Sequence, residues 1–163
     1  MLPPNKRQRR MSAALASLAS AANGPALAQA GAPLGALVGL LGSGSADAKE
    51  GAAGALWSLA VKAENRSALV EAGALPALIA ALDDAATPLM RERAAAALTN
   101  LACDDEYRSL IASAGGLEPL IALLHRSDSP LARENAGRAL QNLALHAPTR
   151  QEALRLGWPD GFL

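Results

Sequence analysis

One interval governs this sequence. Asn23, Asn65, Tyr107 and Thr149 stand 42 residues apart, and the same step joins Gly31, Gly73, Gly115 and Gly157. It also joins Ser45, Thr87 and Ser129; Glu50, Glu92 and Glu134; Leu56, Leu98 and Leu140; and Leu59, Leu101 and Leu143. No insertion or deletion interrupts the register from Asn23 onward. A period in the forties is the mark of stacked helical units, none of which can bury its apolar face alone. Composition agrees: 51% of the chain is hydrophobic but only 2% aromatic, so alanine and leucine supply the core. Alanine loses no side-chain entropy in a helix and lets helix axes approach, whereas a β-sandwich would want β-branched and aromatic residues.

Each unit reads as three helices. In the second complete unit Asn65–Glu71 forms a short first helix, and Gly73 suits the left-handed residue that ends it. Leu75–Leu82 is a second helix with Pro76 in its first turn, where a missing N–H is harmless. After the turn Asp83-Asp84-Ala85-Ala86, Thr87 caps a longer third helix with Pro88 just inside. Ser129-Pro130 repeats that start, and Ser45-Ala46 keeps the cap without the proline. Ala94, Ala97, Leu98 and Leu101 then share one helical face. The expected units are a basic N-terminus with a partial repeat (1–22), complete repeats at 23–64, 65–106 and 107–148, and a shortened repeat at 149–163. The partial repeat holds a third helix at Pro4–Ala19, and Phe162 and Leu163 take the places of Leu120 and Ile121. Neither end carries the polar capping unit with which solenoids finish. We therefore expect a fragment of a longer array, or ends covered by another chain and prone to self-association.

Asn65-Arg66 through Glu71-Ala72-Gly73-Ala74-Leu75-Pro76-Ala77-Leu78, and Arg133-Glu134-Asn135-Ala136-Gly137-Arg138-Ala139-Leu140-Gln141-Asn142-Leu143-Ala144, resemble the armadillo repeat. Gly54-Ala55-Leu56-Trp57-Ser58-Leu59 is similar to a form common in catenin-like, vacuolar-adaptor and plant armadillo proteins. The resemblance runs from about Asn23 to the end. It implies an all-α, right-handed solenoid whose third helices line a concave groove for extended peptide segments, held by an asparagine near the end of each third helix. Asn100 and Asn142 match that asparagine; Ser58 replaces it. Importin-alpha proteins add a tryptophan one turn earlier, and here Gly54, Ala96 and Arg138 stand instead, which argues against a nuclear-import adaptor.

A side-chain amide suits the groove chemically, because it both donates to and accepts from a peptide unit. Trp57, on the same helix as Gly54, is either a groove anchor or core between neighbouring third helices. Arg138 is a further groove candidate. Glu50, Glu92 and Glu134 form an acidic ladder that either faces a basic ligand or pairs with Lys49, Arg91, Arg93 and Arg133 as helix surface. Cys103, equivalent to Val61 and Leu145, is expected in the core, and the Asn65-Arg66-Ser67 sequon is discounted at a helix start.

Charge is zero overall but uneven: no acid precedes Asp47, so Lys6, Arg7, Arg9 and Arg10 give that stretch +4 and the remainder −4. Lys6–Arg10 begins a surface helix, a nuclear localisation signal or an organellar targeting peptide. A neutral total argues against nucleic acid. One cysteine fits a reducing compartment, the apolar runs are too interrupted for a membrane span, and the expected location is cytoplasmic or nuclear. His125 and His146 lack partners at metal-ligand spacing, and phosphate-loop, nucleophile-elbow and dinucleotide motifs are missing. The expectation is a non-catalytic scaffold or adaptor, without cofactor or metal, that binds other proteins. The alternative is the recognition part of a larger enzyme, such as a ubiquitin ligase joining a U-box to armadillo repeats.

Overall fold

The computed structural model describes residues 31–159. The readings for Lys6–Arg10, for the helix at Pro4–Ala19 and for Phe162 and Leu163 lie outside them. The described residues form helices alone: α1 (Gly31–Ser43), α2 (Ala46–Ala60), α3 (Ala63–Glu71), α4 (Ala74–Ala80), α5 (Pro88–Leu101), α6 (Asp105–Ser113), α7 (Leu117–Arg126), α8 (Pro130–Leu143) and α9 (Ala147–Arg155). The long helices α2, α5 and α8 stack side by side, α5 in the middle, and α1, α4 and α7 pack behind them.

The long helices begin where the hydroxyls stand. Ser45, Thr87 and Ser129 accept from the backbone N–H groups of Ala48, Met90 and Ala132, satisfying donors that have no partner inside the helix. The layer is tight because alanines face one another: Ala52, Ala53, Ala94, Ala95, Ala97, Ala136 and Ala139 are buried. Leu56, Leu98 and Leu140, with Leu59, Leu101 and Leu143, fill the space toward the shorter helices and are also buried.

The Asn65-Arg66 pair has a specific job. Asn65 is 3% exposed, and its Nδ2 donates to the Leu59 carbonyl at 3.1 Å. Arg66 donates from Nε to Ala60 O at 2.9 Å and from Nη2 to Val61 O at 3.4 Å. Together they satisfy the orphan carbonyls ending α2 and set a cation against the negative end of its dipole. Arg66 also pairs with Asp104, near the end of its own unit, at 2.8 Å. Arg108 repeats the arrangement on Ala102 O and Cys103 O at the end of α5. With its side chain turned inward, Asn65 in the folded protein is closed to glycosylation.

Gly73, Gly115 and Gly157 have φ of 83°, 81° and 92°, and are the described residues with positive φ. This left-handed position ends α3, α6 and α9 and rewards glycine. A size exchange follows it. At Gly116 an added Cβ would lie 2.8 Å from Cγ2 of Ile111. One unit later Trp158 stands in the place of Gly116, and Ala153 in the place of Ile111. Both are buried, with Trp158 N–H on Ala153 O at 2.9 Å where Gly116 N–H meets Ile111 O at 3.0 Å. Tryptophan and alanine thus stand where the preceding unit has glycine and isoleucine.

Candidate functional site: the open face of the long helices

Residues spaced i, i+4, i+7, i+11 form one line along a helix. On α5 that line is Leu89, Arg93, Ala96 and Asn100, continuing to Cys103; on α8 it is Leu131, Asn135, Arg138 and Asn142, continuing to Leu145. On α2 it is Asp47, Gly51, Gly54 and Ser58, continuing to Val61. These positions are exposed or half-buried except Ala96, at 5%. Three rows therefore run across the stack: Gly54, Ala96 and Arg138; the polar row Ser58, Asn100 and Asn142; and an outer row Val61, Cys103 and Leu145.

The polar row is not uniform. Asn142 Nδ2 donates to Thr99 O at 3.1 Å and approaches Cys103 Sγ at 3.7 Å, tying α8 to α5. Nδ2 of Asn100, by contrast, is buried and has no hydrogen-bond partner. Ser58 is exposed, and Trp57 beside it is 42% exposed, an aromatic ring outside the core. A buried donor without an acceptor costs on the order of 1–3 kcal/mol.

Two of the three residues of the acidic ladder are engaged between units. Glu50 accepts a hydrogen bond from the Thr87 hydroxyl, and Glu92 accepts one from Ser129 Oγ at 3.3 Å, each reaching the cap of the next long helix. The two carboxylates are thus drawn into the junctions between units rather than offered to a ligand. The expected pairs with Lys49, Arg91, Arg93 and Arg133 do not form among the ion pairs present. Arg91 turns to Asp84 at 3.3 Å. Arg133 donates to Ser127 O at 2.6 Å. Arg93 donates to Glu50 O at 2.8 Å. Only Glu134 meets a cation, Arg138, one turn along its own helix at 2.8 Å.

Cys103 corrects a second expectation. It is exposed, as are Val61 at 58% and Leu145 at 66%. These residues follow the last turn of each long helix, where the chain leaves the layer, so the row lies on its rim. Arg93 joins this face although it is not among the groove candidates. Its guanidinium and Cδ fill the notch over Gly54, where an added Cβ would sit 3.3 Å from Nη1. The signal for it was the absence of a side chain at position 54.

No group of three His, Cys, Asp or Glu side chains able to hold a metal exists among the described residues. His146 is engaged with Thr149 Oγ1 at 2.8 Å. None of the described helices is long and apolar enough to cross a membrane.

Long helices stacked at a constant interval, each closed behind by two shorter ones, define an α-solenoid of three-helix repeats. The family model described as the Armadillo/beta-catenin-like repeat matches residues 62–103 and again 104–145, and the chain belongs to that family. Among solved structures, the designed armadillo repeat protein YIII(Dq)4CqI is 31% identical with a TM-score of 0.83, the match covering 95% of this chain and 66% of that one. A designed armadillo repeat protein in complex with the peptide (KR)4 is also 31% identical, with a TM-score of 0.81 over 90% of this chain and 62% of the other. The armadillo-repeats-only protein from Plasmodium falciparum is 26% identical, with a TM-score of 0.70 over 88% and 66%. The chain thus spans less than two thirds of the length of these solved structures. No curated protein matches it.

Proposed function

We propose that this protein is a non-catalytic scaffold that holds an extended segment of another protein along the open face of α2, α5 and α8. The observation that carries the reading is Asn100, whose buried Nδ2 has no partner inside the chain. The Asn100 side chain as a whole is half-buried, so its amide turns outward to meet a peptide carbonyl, and Trp57 gives an adjoining side chain an aromatic surface. Ser58 accepts or donates at the first unit. Asn142 contributes mainly through its oxygen, since Nδ2 is bound to Thr99 O. Arg138 stands beside the row and is paired with Glu134. Designed armadillo repeat proteins with this fold include one bound to (KR)4, which supports peptide binding as such. Here Arg93 lies over Gly54 and Arg138 occupies the same row, which disfavours an Arg/Lys-rich ligand at those positions. A reducing compartment, the cytoplasm or nucleus, suits the exposed, unpaired Cys103.

The test is a peptide-display selection on the full chain, followed by titration of the recovered peptides against wild type and the Trp57→Ala, Asn100→Ala variant, with helicity checked by circular dichroism. We expect at least a tenfold loss of affinity. Equal affinity for both proteins overturns the site.

A further inference from the structure

The chain builds one kind of junction twice and fills the two differently. Between α4 and α7, beside the start of α5, Asp84 holds Arg91 at 3.3 Å while Pro119 and Leu123 close in from α7, leaving about 200 Å³. One period earlier, between α1 and α4 beside the start of α2, Gly42 replaces Asp84, Lys49 replaces Arg91, Ala77 replaces Pro119 and Ala81 replaces Leu123. The cleft is correspondingly larger, at about 610 Å³. An added Cβ on Gly39 or Gly42 would meet nothing within 4 Å, so both glycines border open space. Val38, Leu41 and Met90 extend the apolar wall.

Lys49 lines this cleft without a counter-ion among the described residues. Residues 1–30 contain no acid to supply one. Asp83, a carboxylate on the wall, accepts from Ala85 N–H at 2.8 Å. Ala46 opens α2, so its N–H is among the donors that a helix leaves unpaired at the positive end of its dipole. The equivalent residue of α5 is Pro88, which has no N–H. A cation and a backbone donor thus gather at this junction where its sibling has an internal ion pair.

We propose that the cleft binds a fatty-acid anion. The carboxylate takes on Lys49 the place that Asp84 takes on Arg91, and the alkyl chain covers the apolar wall beside Gly39 and Gly42. A cleft of this size, mostly apolar with few polar groups, is typical of small-molecule sites. An acidic side chain of a partner protein would satisfy Lys49 alone and leave that wall in water, whereas an alkyl chain removes it from water at a gain. The cleft lies at the N-terminal ends of α2 and α5, and Ser58, Asn100 and Asn142 lie toward the C-terminal ends of the long helices, so the two sites are separate and neither needs the other.

Isothermal titration calorimetry on the full chain uses octanoate, with acetate as the head alone and octanol as the tail alone; circular dichroism confirms helicity of each variant. Octanoate should saturate a single site, octanol should bind at least about tenfold more weakly, and acetate should give no measurable binding. Lys49→Met should cost octanoate at least about tenfold in affinity and leave octanol unchanged. Gly42→Asp rebuilds the internal pair on Lys49 and should abolish octanoate binding. Gly39→Leu should block octanoate and octanol together by filling the path of the chain. Arg155→Met, which removes a charge from α9, should bind like wild type. A wild type without saturable octanoate binding overturns the site, as does acetate or octanol binding as tightly as octanoate. Undiminished binding by Lys49→Met or Gly42→Asp does so too, since the ligand then sits elsewhere.

Discussion

Ser129→Ala isolates the junction between α5 and α8. The hydroxyl caps α8 by accepting from Ala132 N–H at 3.2 Å and donates to Glu92 at 3.3 Å. Losing an N-cap costs about 1 kcal/mol. Leaving the half-buried Glu92 carboxylate one donor short adds about 1 kcal/mol, toward the low end for a charged acceptor because water can partly replace the hydroxyl. The total of about 2 kcal/mol corresponds to roughly 4–8 °C in Tm for a chain of this length. Urea unfolding followed by circular dichroism measures it. Ser129→Thr is the control and should lie within about 0.5 kcal/mol of wild type, since Thr87 performs the same two tasks one unit earlier. A double-mutant cycle with Glu92→Ala should give a coupling of about 0.5–1 kcal/mol. If the coupling is zero within error, or Ser129→Ala costs less than about 0.5 kcal/mol, the carboxylate and hydroxyl do not act together and the junction account is wrong.

Two further perturbations probe other parts of the chain. Trp158→Ala should cost about 3–5 kcal/mol, because the ring is only 3% exposed; in a Trp57→Phe background its emission should be that of a buried indole, and a solvent-like spectrum would contradict the packing. Tyr107, the single tyrosine, has its phenol pKa raised above 10.0, first by burial and then by the Glu106 charge, with Asp104 and Glu71 adding to it and the Ser67 hydrogen bond opposing. Because the native state holds the proton more tightly than the unfolded chain, this contribution is complete below pH 10.0 and is lost as pH rises through the native value. Spectrophotometric titration should therefore show tyrosinate later in folded than in urea-unfolded protein, and coincident curves would refute it.

What the sequence made legible is whatever the chain decides locally. The caps at Ser45, Thr87 and Ser129, the left-handed glycines and the buried face Ala94, Ala97, Leu98 and Leu101 each follow from a few neighbouring residues. What escaped is decided between units. The position of Glu92 on a helix face is readable; that its carboxylate reaches 37 residues ahead to Ser129 is not. Cys103 looked like core because it continues a helical pattern, but α5 ends at Leu101 and the following turn carries the thiol outward. Asn100 and Asn142 are equivalent in sequence, yet one has a bound amide nitrogen and the other an idle one, a difference that arises only once neighbouring helices dock.

The junction bonds also fix the unit in which such a chain can be edited. Excising residues 65–106 would bring Ser129 to the carboxylate of Glu50 in place of Thr87. Asn135 would meet the Glu50 carbonyl in place of Arg93, and Arg108 would inherit the carbonyls of Ala60 and Val61 from Arg66. Each of these three donors thus has a successor, whereas the guanidinium over Gly54 and the Asn65 amide on the Leu59 carbonyl, followed by Tyr107, have none of their kind. A cut one residue longer or shorter turns the downstream helix by about 100° and strands all of these donors at once. Recombination can therefore shorten or lengthen this protein only in whole steps, and each step leaves the hydrogen-bonding grammar of the stack intact.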